Sequence, residues 1–270
     1  MSDDSAWLAK LRAKADQPPA ALRVSLWAGA ALIGSVEPDF LVRALPARCI
    51  GPNGWVDVAT RSGVNGWVVQ GELTSTLRRI ADALRVGGFG HAWRDEQLAV
   101  RDGAGHVIGS IERGVVRQLG IATHAVHLAG RAPDGQHWVQ QRSLTKPDDP
   151  GLWDTLMGGM VPASDTLLQA LARETWEEAG LRIEQLQAVT HGGRVETRRP
   201  SRGEGSAGYV VECIDWYRCV VPEGVVPMNQ DGEVAQFARL STAEVKARLP
   251  RDEFTTEAAL ILVADGSNEG

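Results

Sequence analysis

The stretch Gly159–Leu181 reads GMVPASDTLLQALARETWEEAGL. It predicts a strong helix from about Thr166 to Ala179, closed by Gly180. Successive helical residues are turned by about 100°, so Glu174, Glu177 and Glu178 share one arc of about that width. Leu168, Leu171, Ala172, Thr175 and Ala179 fall on the neighbouring arc, giving an apolar face beside a carboxylate face. That carboxylate face works against the helix. Glu174 and Glu178 are like charges one turn apart, and Glu177 and Glu178 sit where the helix dipole disfavours anions. A solvated acidic face is one reading. A divalent cation with oxygen ligands is the other, because it would relieve both repulsions and could share substrate phosphates.

The spacing bears on that choice. Gly159 is followed after five residues by Asp165. Seven residues later comes Arg173-Glu174-Thr175-Trp176-Glu177-Glu178-Ala179-Gly180-Leu181. This resembles the Nudix box, with two departures: Asp165 stands where that family has Glu, and Thr175 where it has an aliphatic residue. The resemblance implies a Nudix α/β/α sandwich with a mixed sheet and a hydrolase of diphosphate linkages. By position, it casts Glu174, Glu177 and Glu178 as metal-binding acids and Arg173 as the arginine that orients them. Gly159 would bring its carbonyl to the metal, and Asp165 would be a less critical acid. The implied cofactor is Mg2+, with Mn2+ as an alternative. The implied reaction is attack of water on a phosphorus atom.

Working outward, the 270 residues allow one large domain or two smaller ones. With 43% hydrophobic and 23% charged residues, the chain can bury a core. A net charge of −6 lacks the basic footprint of a nucleic-acid binder but does not exclude a phosphorylated metabolite held through a metal. Cys49, Cys213 and Cys219 form no disulfide framework and contain no CxxC pair. No uncharged run is long enough to span a bilayer, and residues 1–16 lack a signal-peptide core. The expectation is a soluble, reduced, cytoplasmic protein with no membrane or nucleic-acid partner.

A short helix (1–19) is expected to precede a smaller α/β domain (20–120), followed by the Nudix domain (121–270). In the former, Leu73–Leu84 reads as a helix, and Gln97–Arg101 with Val107–Ile111 as a hairpin around Asp102-Gly103. In the latter, Tyr209–Cys213 and Trp216–Val220 read as separate strands, and Arg194–Gly205 as a polar, basic loop.

A second resemblance lies outside the box. Trp93-Arg94-Asp95-Glu96, Ile111-Glu112-Arg113, Leu119-Gly120-Ile121, Leu156-Met157-Gly158-Gly159 and Asn229-Gln230-Asp231-Gly232-Glu233-Val234 resemble one branch of the family. That branch is related to the Nudix part of thiamin pyrophosphokinase-like proteins of yeasts and plants. It implies thiamin diphosphate, or an oxidised analogue, cleaved to the monophosphate. Arg142 and Lys146, at a strand end and in the next loop, are candidate phosphate contacts. Trp93 and Trp153 are candidate walls for a heterocycle. Glu233 is favoured over Glu212 as an assisting acid, because a loop can reach a metal or water. His127 reads as a core histidine. A nucleoside diphosphate derivative such as ADP-ribose or a dinucleotide remains the alternative substrate, and a catalytically silent metabolite sensor the alternative role.

Overall fold

The computed structural model describes residues 2–90, 93–201 and 208–267. Helix α1 (Ser2–Ala15) precedes four strands, β1 (Val24–Ala28), β2 (Ala31–Val36), β3 (Val56–Arg61) and β4 (Val64–Val69). They form one sheet in the order β2-β1-β4-β3. The β3–β4 hairpin turns through Ser62-Gly63, both at positive φ, as a tight hairpin requires. Helix α2 (Phe40–Ala44) lies between β2 and β3. Helix α3 (Leu73–Val86) follows β4, and then the hairpin β5 (Gln97–Arg101) and β6 (Val107–Glu112). Leu77, Ile80 and Leu84 of α3 meet Leu26, Phe40, Val56 and Ile111 in one core. Hydrophobic residues at helical spacing therefore tie the sheet and the hairpin to the same helix.

The second sheet begins with β7 (Thr123–Arg131), β8 (His137–Arg142), β9 (Trp153–Asp154) and β10 (Met157–Met160). Helix α4 (Leu167–Ala179) is followed by β11 (Gln187–Pro200), β12 (Tyr209–Val220) and β13 (Val234–Leu240). Helices α5 (Thr242–Arg248) and α6 (Thr256–Ser267) close the described chain. The strand order is β11-β12-β7-β8-β13, with β10 on β7 and β9 on β8. The β12–β7 pair is parallel and the other pairs are antiparallel, so the sheet is mixed. Strand β7 shows how both faces are covered. Val126 and Leu128 pack with Leu171 and Ala179 of α4, while Ala125 and Ala129 pack with Ile261 of α6. The result is an α/β/α sandwich with an additional N-terminal α/β region.

Two details differ from the sequence reading. Tyr209–Val220 is one strand: Asp215, which looked like a polar break, is buried and accepts hydrogen bonds from Arg194 and His191. The basic segment after Arg194 continues β11 to Pro200, because Arg198 and Arg199 pair with Asp16 and Glu257 while Thr197 points into the core. Residues 202–205 of the expected loop lie outside the described residues. Helix α1 packs through Leu11 against Ala258 and Leu262 of α6, at the C-terminal end of the chain.

Candidate active site

Helix α4 starts at a capping box. The Thr166 hydroxyl accepts from the Gln169 N–H, and the Gln169 side chain accepts from the Thr166 N–H. It ends at Gly180, whose φ of 63° is left-handed. The buried stripe of α4 is rotated from the expected one: Leu168 and Ala172 are exposed, while Ala170, Leu171, Thr175, Glu178 and Ala179 are buried. Thr175 fits the apolar position because its hydroxyl donates to the Leu171 carbonyl at 2.6 Å. Rotation of the stripe carries Glu178 into the interior.

The Glu178 carboxylate accepts from Gln140 Nε2 at 2.7 Å and from the Gly158 N–H at 3.0 Å, with Lys146 Nζ at 3.5 Å. Burial pushes its pKa up, against the pull of these partners. Burial likewise lifts Glu174 to about 7; Arg173 pulls down, and the charges of Glu178 and Glu177 push up. Arg173 lies 3.0 Å from Glu174, 2.9 Å from Glu177 and 3.1 Å from Asp165. The shorter Asp165 side chain therefore still reaches Arg173.

Strand β10 sets the opposite wall. A Cβ on Gly159 would lie 2.1 Å from the Glu174 carboxyl carbon, so the missing side chain is what lets that carboxylate lie on the strand backbone. A Cβ on Gly158 would lie 2.4 Å from the His127 ring. His127 is buried, with Nδ1 2.9 Å from the Thr155 hydroxyl.

Loop 228–233 docks on the end of α4. The Met228 N–H donates to the Ala179 carbonyl at 2.8 Å and the Gln230 N–H to the Glu177 carbonyl at 3.1 Å, satisfying open helix carbonyls. This brings Glu233 to Lys146, which bonds it directly. Burial favours a higher pKa for Glu233, but Lys146, Arg113 and Arg94 outweigh it and hold the carboxyl below its ordinary range. Arg142 also reaches the cleft, though its guanidinium donates to the Asp148 carbonyl at 2.9 and 3.2 Å and so braces its own loop. The cleft enclosed by these groups has a volume of about 460 Å³.

A recess of about 140 Å³ shares Arg142, Lys146, Gly158 and Gly159 with the cleft. Most of its charges are paired, Arg117 with Asp148 at 2.8 Å and Arg199 with Glu257 at 3.1 Å. Glu212 differs. Its carboxylate accepts one long hydrogen bond, 3.4 Å from the Thr123 hydroxyl, and makes no direct ion pair among the described residues. Burial, then the charge of Glu257, lifts its pKa to about 7 despite Arg117 and Arg199. The folded state thus binds this proton more tightly than the unfolded chain does. Stability from this group is full below about pH 4.5 and falls as the pH rises to about 7, by at most about 3 kcal/mol. Glu212→Gln is expected to raise the melting temperature at pH 8 and much less at pH 5. Equal shifts at the two pH values would remove the charge of Glu212 as the cause.

A model of the NUDIX domain matches residues 122–259, just over half of the chain. The chain belongs to the NUDIX domain family. Nudix hydrolase 24, chloroplastic, of Arabidopsis thaliana is 29% identical over 159 residues, which cover 58% of this chain and 42% of that protein. The uncharacterized protein YJR142W of Saccharomyces cerevisiae is 27% identical over 184 residues, covering 63% of this chain and 54% of that one. The chain thus spans about half the length of these relatives. The crystal structure of DR0079 from Deinococcus radiodurans has 23% identity, covering 62% of this chain and 97% of that one, with a TM-score of 0.48.

The Nudix helix offers an all-oxygen donor set, and its two most buried acids have raised pKa values. Such a set suits a hard divalent cation. Among the described residues, however, no three acids converge closely enough to hold an ion. Glu174 and Glu177 are turned onto Arg173, and Glu178 faces Gln140, Gly158 and Lys146. The donor chemistry fits, with arginine and lysine as the present counter-charges.

Neither expected tryptophan lines the cleft or the recess. Trp93 donates to Asp95 at 2.6 Å and lies under the Arg85 guanidinium. Trp153 packs with the core around Phe254, with Arg248 over its ring. The aromatic-wall expectation is corrected accordingly: both rings are occupied by arginine stacking and core packing. Arg94, Glu96 and Arg113 also line the cleft; in the sequence they mark only the branch resemblance and have no assigned site role, because single charges near a hairpin carry no periodic signal.

Proposed function

We propose that this chain is a divalent-metal-dependent hydrolase that cleaves a diphosphate linkage in a small metabolite. The observation that carries this reading is the meeting of half-buried Glu174 and buried Glu178 with Lys146 and Arg142 in one cleft. Glu174, Glu177, Glu178 and the Gly159 carbonyl would hold Mg2+ or Mn2+. When bound, the ion supplies Lewis-acid stabilisation of charge on the phosphoryl oxygens. Arg173 orients the acids through its three carboxylate contacts. Lys146, on a loop, can exchange Glu233 for a substrate phosphate, and Arg142 keeps that loop in place. Glu233 is ionised at neutral pH and is suited to take a proton from the attacking water. For a terminal diphosphate the products are a monophosphate and inorganic phosphate.

For the substrate we propose thiamin diphosphate or an oxidised analogue. The branch resemblance supports this. The recess adds a chemical preference. Its acid without a direct ion partner, Glu212, suits an amine-bearing ring better than a further phosphate. We also propose that 20–120 and 121–270 are the two units of the chain, with 1–19 an extension, and that the protein acts in a reducing, cytoplasmic compartment. No helix among the described residues is long and apolar enough to cross a membrane. The test is chromatographic quantification of the monophosphate products, with inorganic phosphate measured beside them, in the presence of Mg2+ or Mn2+ over a panel of thiamin diphosphate, its oxidised analogues, ADP-ribose and dinucleotides. Thiamin compounds should lead in kcat/KM. A lead for ADP-ribose or a dinucleotide would overturn the substrate and leave the hydrolase reading standing.

A further inference from the structure

We propose that Arg94, carried by the N-terminal region, binds the terminal phosphate of the substrate, so that residues before the NUDIX domain complete its site. This rests on the diphosphate reading above. The cations lining the cleft are otherwise engaged: Arg113 with Glu96 at 2.6 Å, Arg142 with the Asp148 carbonyl, Lys146 with Glu233, and Arg173 with three acids. Arg94 makes no side-chain hydrogen bond or ion pair among the described residues. Its charge is nonetheless felt across the cleft, since it helps hold the Glu233 carboxyl down. An arginine with its donors unspent, facing a cleft lined by acids, is arranged for an anion that arrives with its own counter-cation.

The backbone that carries Arg94 is held in place. Glu112 is buried, and its Oε1 accepts from the Arg94 N–H at 3.0 Å and the Gly114 N–H at 3.2 Å. One carboxylate thus fixes the backbone carrying Arg94 and the turn after Arg113. The next residue, Asp95, has φ of 55°, a conformation that a non-glycine residue keeps only when its surroundings hold it. The hairpin is in turn joined to the loop before α4. The Ala163 N–H donates to the Gln97 carbonyl at 2.7 Å, and Leu98 bridges Pro162. The position of Arg94 relative to the Nudix helix is therefore set by the Glu112 carboxylate together with backbone hydrogen bonds.

The experiment uses the full chain with Mg2+ and compares the parent with Arg94→Ala and Arg94→Lys. Affinity for the non-hydrolysable methylenediphosphonate is measured by titration calorimetry, and KM and kcat by phosphate release. Arg94→Ala should weaken the analogue about tenfold, with the larger part of the kinetic loss in KM, for every diphosphate cleaved. Arg94→Lys should recover part of the affinity, and melting temperatures should stay together because the side chain is exposed and unpartnered among the described residues. Equal affinity of Arg94→Ala and the parent for the analogue would overturn the proposal, as would a parent that does not bind it. A parent that binds the analogue but hydrolyses no diphosphate would sink the hydrolase reading instead, and the titration would still decide Arg94.

Discussion

Glu178→Gln is expected to lower kcat/KM at least about a thousandfold, the loss of roughly 4 kcal/mol of transition-state stabilisation that a misplaced or lost metal would entail. The same change should leave the fold intact or firmer. The glutamine side chain keeps an oxygen to accept from Gln140 and Gly158, whose donors lie 2.7 and 3.0 Å from the carboxylate it replaces. It also removes a buried charge whose ionisation burial opposes. The sign follows from linkage. With a folded pKa above the ordinary carboxyl value, Glu178 costs stability progressively as the pH rises, so the gain for the Gln variant should grow from pH 5 to pH 8. The measurement is kcat/KM with Mg2+ beside melting temperature at both pH values. A variant that keeps parental turnover removes Glu178 from the metal set. A variant that loses activity only by unfolding makes Glu178 a structural acid tied to Lys146.

The same residue shows where sequence reasoning reached and where it stopped. Helical spacing put three carboxylates on one arc, and α4 forms over nearly the expected residues. Which part of the arc enters the core was decided by the sheet beneath, and the answer moved Glu178 inside and Leu168 out. Local pattern also identified α3 and the β5–β6 hairpin, where periodicity and turn chemistry agree. It misread β11 and β12. A buried Asp215 satisfied by Arg194 and His191 looks like a loop residue until its partners, 21 and 24 positions away, are known. Arg142, Lys146, Glu174, Glu177, Glu178, Gly159, Arg173 and Glu233 do meet at one cleft. Trp93 and Trp153 do not, because a tryptophan count says nothing about which rings are already stacked under arginines. Arg94 enters the cleft through the bonds of Glu112, a dependence that no spacing rule displays.

Gly159→Ala is expected to cut kcat/KM by about a hundredfold or more with little loss of stability, whereas Gly158→Ala should do the reverse. In both, a methyl group meets an occupied space, and what occupies it decides the outcome. At Gly159 the obstacle is the end of a flexible side chain: the Glu174 carboxyl carbon 2.1 Å away and its oxygens at 2.4 and 2.5 Å. Glu174 can swing aside, so folding loses little, and the added Cβ lowers the entropy of the unfolded chain in compensation. The displaced carboxylate leaves its place beside Arg173 by an ångström or more, and misplacement on that scale costs catalysis about two orders of magnitude. At Gly158 the obstacle is the His127 ring at 2.4 Å, buried and bonded to Thr155, which has nowhere to go. Overpacking there should cost about 1–3 kcal/mol and lower the melting temperature by several degrees. Melting curves and kcat/KM of the two variants, measured side by side, separate the roles. If Gly159→Ala melted early and kept its turnover, Glu174 would be a packing residue of the strand–helix contact, and the metal set would have to be sought without it.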